Sequence, residues 1–138
     1  MIEIARTRRT STASAALFFE RWCAIETHPE WAPSMEYFRL LEPFDVGARG
    51  ILKAVGGEES PFRITTVGPG FVYADTTELD GVELTVHHQA VEGLDGTEVE
   101  LSAWLDGPRE VQSATRMSAE VQHSLERDLA ALAALLEG

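Results

Sequence analysis

The sequence predicts an α+β fold: a curved, seven-stranded antiparallel sheet wrapped around a long C-terminal helix, with two short helices after the first strand. Three observations predict it. Apolar residues recur at Ala114, Met117, Val121, Leu125, Leu129, Leu132 and Leu136, and steps of three or four residues make one stripe on a helix. The middle of the chain is a run of short strands joined by tight turns, and short connections force antiparallel neighbours, because parallel pairs need long crossovers. Finally, two independent turns assign one apolar face to three consecutive strands. The helix, predicted over 108–136, is roughly 25 residues and about 38 Å long at 1.5 Å per residue, twice the usual length. It needs a large apolar partner, and the sheet is the only candidate.

The elements follow in order. Residues 2–9 read as a first strand, at a sheet edge because the second half is charged. Ser11 or Thr12 can cap a helix over 13–22 that packs Leu17, Phe18 and Trp22. Residues 26–33 hold Pro29 and Pro33, so any helix there is a short turn. Strands are then predicted over 35–41, 49–55, 62–67, 71–79, 82–91 and 98–105. Glu42-Pro43, Gly56-Gly57, Gly68-Pro69-Gly70, Asp80-Gly81 and Gly107-Pro108 break the chain between or after them.

Turns fix the faces. Asp80-Gly81 is a two-residue hairpin signal. It sets Leu79 opposite Val82, Thr77 opposite Leu84, Asp75 opposite Val86, Tyr73 opposite His88 and Phe71 opposite Ala90. The turn Gly93–Gly96 sets Glu92 opposite Thr97, which brings His88 to Leu101, Val86 to Ala103 and Leu84 to Leu105. Directly paired residues share a face, and this face is mostly apolar. The other carries Thr76, Glu78, Glu83, Thr85, His87, Gln89, Glu100, Ser102 and Trp104, and is expected to be wet.

Composition narrows the function classes. The chain has 138 residues, read as a single domain over 1–138, and 44% hydrophobic content is enough for a real core. A net charge of −12 argues against nucleic-acid and anionic-membrane partners, which require basic patches. No apolar run is long enough for a transmembrane helix, and the N-terminus lacks the pattern of a signal peptide. The lone Cys23 excludes an internal disulfide and fits a reducing, cytoplasmic setting.

This order of elements resembles the START/Bet v 1-like (SRPBCC) superfamily, most closely its bacterial polyketide cyclase/dehydrase-like branch. The resemblance spans essentially the whole chain. It is carried by Pro29-Glu30-Trp31, Val46-Gly47-Ala48-Arg49, Val67-Gly68-Pro69-Gly70, His88 within Val86–Glu92, and Gly96–Leu101 with Gly107-Pro108 before the helix. The resemblance implies a helix-grip fold with an apolar tunnel between sheet and helix. It also implies lipid-, polyketide- or hormone-like ligands, with aromatase/cyclase activity in some members.

Candidate chemistry centres on His88, mid-strand on the cavity face, with Tyr73 and Asp75 nearby. A histidine titrates near neutral pH and can serve as general acid or base. Tyr73 can donate to a substrate oxygen, and a desolvated Asp75 can act as a second base. The competing reading is a core histidine hydrogen-bonded to Tyr73 or Asp75. The expected ligand lining is Trp31, Phe71, Leu84, Val86, Leu101, Ala103, Met117 and Val121. Trp31, held between two prolines, reads first as a plug of the fold and second as a ligand wall. The faces taken by Arg63, Arg39 and Lys53 stay open, because one ambiguous turn, at residues 68–70, decides whether Arg63 or the set Phe62, Ile64 and Thr66 points inward.

No metal site is expected, since CxxC and HxxxH spacings are absent, and no cofactor. The expected partner is a small apolar molecule, with no nucleic acid and no membrane; a homodimer is compatible with the sequence. Binding of that molecule is the first functional expectation. A cofactor-independent polyketide cyclase or aromatase is the second, and a partner-binding module with a filled cavity the third.

Overall fold

A computed structural model describes residues 1–138. Strand β1 (Ile2–Ser11) leads into helix α1 (Ala15–Cys23) and a 3₁₀ turn (Ile25–Glu30). Strands β2 (Met35–Leu40), β3 (Arg49–Ala54), β4 (Glu59–Gly68), β5 (Val72–Leu79), β6 (Val82–Gly93) and β7 (Gly96–Asp106) follow, then helix α2 (Glu110–Glu137). The seven strands form one sheet, ordered β1-β7-β6-β5-β4-β3-β2, antiparallel throughout. The charged first strand is indeed an edge.

The register deduced from the two turns is the observed one. Tyr73 pairs with His88, Asp75 with Val86, His88 with Leu101 and Ala90 with Val99. Gly81 makes the first turn at φ +79°, a backbone that glycine adopts without steric cost.

The ambiguous turn resolves in an unforeseen way. Pro69-Gly70-Phe71 forms the loop, with Gly68 paired to Val72, and a bulge between Ile64 and Thr66 then shifts the register by one residue. Phe62 and Ile64 face inward and are buried, as their apolar bulk favours. Thr66, expected inward with them, lies beyond the bulge, pairs with Ala74 and is exposed. Arg63 faces outward and makes a two-pronged ion pair with Glu83, at 2.8 and 3.2 Å. Arg39 lies over the Tyr37 ring, 4.3 Å from its centroid, and Lys53 pairs with Glu36 at 2.6 Å. These cations alternate with Phe38 and Leu52, which face the inside.

Other expectations are corrected. The cap of α1 is Ser14, not Ser11 or Thr12; its Oγ accepts the Leu17 N–H at 3.3 Å. Ser11 instead accepts from the Ala13 N–H at 3.1 Å, and the Glu92 carboxylate accepts the Ala15 N–H at 2.8 Å, where a helix start favours an anion. The outer sheet face is not uniformly wet. Thr76 and Ser102 are buried there, with hydrogen bonds to Thr85 (2.7 Å) and from the Trp104 indole (3.1 Å).

Helix α2 lies mainly against β1 and β7. Gln122 clamps the free edge of β1: its Oε1 accepts the Arg6 N–H and its Nε2 donates to the Arg6 carbonyl, both at 2.9 Å. An edge residue is thereby paired instead of left open. No helix is long and apolar enough to cross a membrane.

Candidate ligand cavity

The helix stripe does not pack evenly. Leu125, Leu129, Leu132 and Ala133 are buried in the core, whereas Met117 and Val121 are only half-buried. Beneath that first half lies a cavity of about 340 Å³. Its walls come from the 3₁₀ turn and the segment after it (His28, Trp31, Ala32, Ser34) and from β2 and β3 (Met35, Phe38, Leu52). Strands β5 to β7 add Asp75, Thr77, Leu79, Leu84, Val86, His88 and Leu101. Helix α2 contributes Met117, Glu120, Val121, Ser124, Leu125 and Asp128.

The deep end is an aromatic cluster containing two histidines. His88 lies 5.2 Å from the Trp22 ring and 5.3 Å from that of Tyr73. His28 lies 4.8 Å from both Trp31 and Phe38. His88 Nδ1 is 3.0 Å from the Tyr73 carbonyl, and His28 Nε2 is 2.8 Å from the Trp22 carbonyl. A carbonyl oxygen only accepts, so each of these nitrogens carries the proton. Trp22 is in the last turn of α1, where carbonyls lack helical partners, so His28 completes the helix end. Burial holds both rings neutral, lowering His88 to about 3 and His28 to about 4. Each therefore keeps its second nitrogen unprotonated.

Asp75 has the opposite character. Desolvation raises its carboxyl to about 6, and the hydrogen bond from the Tyr73 hydroxyl, 2.8 Å to Oδ2, only partly offsets this. Tyr73 is pushed well above the usual phenol range, first by burial and then by Asp75. Burial thus moves Asp75 toward neutrality and His88 away from it. His88 is buried, neutral and bonded to the Tyr73 backbone, as in the core-histidine alternative, and it also lines the cavity.

Helix α2 lays a polar stripe along the cavity, Glu120, Ser124 and Asp128, at four-residue spacing. Glu120 is exposed. Asp128 is raised by burial against the pull of Arg127, whose guanidinium lies 3.3 Å from its Oδ1. Arg127 also donates to Ser34 Oγ at 3.0 Å, tying the helix to the segment before β2.

Of the predicted lining, Trp31, Leu84, Val86, Leu101, Met117 and Val121 border the cavity, as do His88 and Asp75. Three predicted residues do not. Tyr73 is fully buried behind Asp75, with its hydroxyl already committed. Ala103 is sealed in the core. Phe71 sits in the β4–β5 loop at φ +56°, packed on Phe19 at 5.6 Å. Sequence reasoning missed His28, set aside because it lies far from the other histidines in the chain. It also missed the stripe Glu120-Ser124-Asp128, whose spacing was there to be read.

No protein-family model and no curated protein matches the sequence. Solved structures do match in shape. Norcoclaurine synthase from Thalictrum flavum, in complex with dopamine and hydroxybenzaldehyde, superposes with a TM-score of 0.70 at 16% identity, covering 94% of this chain and 83% of that one. Ara h 8.0201 superposes with a TM-score of 0.64 at 14% identity, covering 92% and 95%. The fold is the Bet v 1-like helix grip. A protein from Nitrosospira multiformis shares this helix-grip shape, with a TM-score of 0.74 at 16% identity, covering 96% and 94%.

Proposed function

We propose that the chain binds a small apolar or aromatic molecule, lipid- or polyketide-like, in the cavity between the sheet and helix α2. The observation that carries the reading is the cavity itself. At about 340 Å³ it is not filled by side chains, and its walls are chiefly aliphatic and aromatic. It lies at the lower end of the roughly 300–1,000 Å³ typical of small-molecule sites. Unfilled volume of this size counts against a partner-binding module with a closed core. The norcoclaurine synthase structure, which holds two small aromatic molecules, supports the same use of the fold.

A second reading, a cofactor-independent cyclase or aromatase, is favoured by one observation: the buried carboxyl of Asp75 next to Tyr73, with its proton affinity moved toward neutrality. In that reading Asp75 takes a proton from a carbon beside a ligand carbonyl, while Tyr73 and His88 hold Asp75 and the ring cluster in place.

Native mass spectrometry of the protein purified from its own host tests the binding reading, with Val121→Trp as the blocked variant. A stoichiometric small molecule is expected on the wild type and absent from the folded variant. A bare mass for both, with no thermal shift across a panel of apolar compounds, would overturn it. Turnover of a captured ligand that disappears in Asp75→Asn while binding persists would establish the enzymatic reading.

A further inference from the structure

The ionisable groups on the cavity wall are all acidic or neutral, and the hydroxyls of Ser34, Thr77 and Ser124 can donate or accept. Asp75, Asp128 and Glu120 present carboxyls, and His28 and His88 are neutral rings there. No lysine or arginine is on the wall. The indole N–H of Trp31 is a donor, but it is buried without a partner and carries no charge. The three carboxyls do not converge as a metal-binding cluster.

Their charges are not balanced alike. Asp128 has Arg127 beside it, and Glu120 is in water at the rim. Asp75 is only 7% exposed, forms no ion pair, and receives one hydrogen bond, from Tyr73 to Oδ2. A carboxylate offers about four lone-pair sites, so most of its capacity is unused and Oδ1 has no protein donor. Leaving a carboxylate desolvated without a counter-ion is costly. The fold has already stripped water from it, so a cationic ligand meets a prepared partner.

We propose that the ligand is an amine on an aromatic or aliphatic body, its protonated nitrogen against Asp75 and its apolar part against Met117 and Val121. The proposal rests on the cavity reading above and names its ligand class. Carboxylate ligands of the same shape are repelled by the carboxylates on the wall.

The test compares three molecules of one skeleton by titration calorimetry at neutral pH: phenylpropylamine, phenylpropanol and phenylpropanoate. The amine is expected to bind at least about tenfold more tightly than the alcohol, and the carboxylate weakest. Asp75→Asn should erase the amine's advantage, read as the ratio of amine to alcohol affinity within the same variant. If that variant does not fold, the ranking on the wild type still decides. An alcohol equal to the amine, or a tighter carboxylate, overturns the amine assignment and leaves the cavity reading intact. Failure of all three to bind overturns both.

Discussion

The two halves of helix α2 carry the same apolar stripe and meet different fates. In the second half, Leu129 and Leu132 are 2% and 1% exposed and packed in the core, with Leu125 at the boundary between core and cavity. In the first half, Met117 and Val121 stay half-buried above the cavity. Periodicity alone cannot separate them, because it reports which face is apolar and not what that face touches. The difference teaches that one half of the helix builds the fold, while the other leaves apolar surface open to a cavity.

The largest effect expected from breaking this contrast is on stability. Leu129→Ala should cost about 2–5 kcal/mol, the range for emptying a packed core site. Met117→Ala should cost under about 1.5 kcal/mol, since its side chain borders space that is already empty. Urea denaturation of both variants checks this, and equal losses would mean the helix is uniformly packed.

A second contrast, between Asp75 and the two histidines, should appear in the pH dependence. His28 and His88 fall from 6.5 to about 4 and about 3 in the fold. The unfolded chain therefore binds more protons below about pH 6.5, and stability is lost as pH falls through that window. Asp75 rises from 3.8 to about 6, so the folded chain binds more protons there. Its contribution is present at low pH and lost as pH rises through about 6. The two terms oppose each other between about pH 4 and 6. Asp75→Asn should steepen the rise of stability with pH in that window, and His88→Gln should flatten it, as read from unfolding midpoints across the range. Each pKa unit corresponds to about 1.4 kcal/mol.

Much of this was legible beforehand, for identifiable reasons. Asp80-Gly81 and Gly93–Gly96 set the register of three strands, because a side-chain period of two leaves no intermediate choice. That placed Asp75, Val86, His88 and Leu101 on one face. The bulge at Thr65 was not legible: one extra residue in a strand has no composition signature. It decided the faces of Arg63 and Thr66. His28 was missed because a 3₁₀ turn has no apolar period, and its role depends on where α1 ends. The opposite shifts of His88 and Asp75 were only half legible, because residue type suggests a reference pKa, while burial moves it.

Amide hydrogen exchange along helix α2 of the ligand-free protein tests the central claim most directly. Amides in Leu125–Leu136 should be protected close to the global stability, and those in Glu110–Ser124 should exchange faster through local opening over the cavity. Uniform protection along the whole helix would contradict the division between an anchoring half and a cavity-facing half.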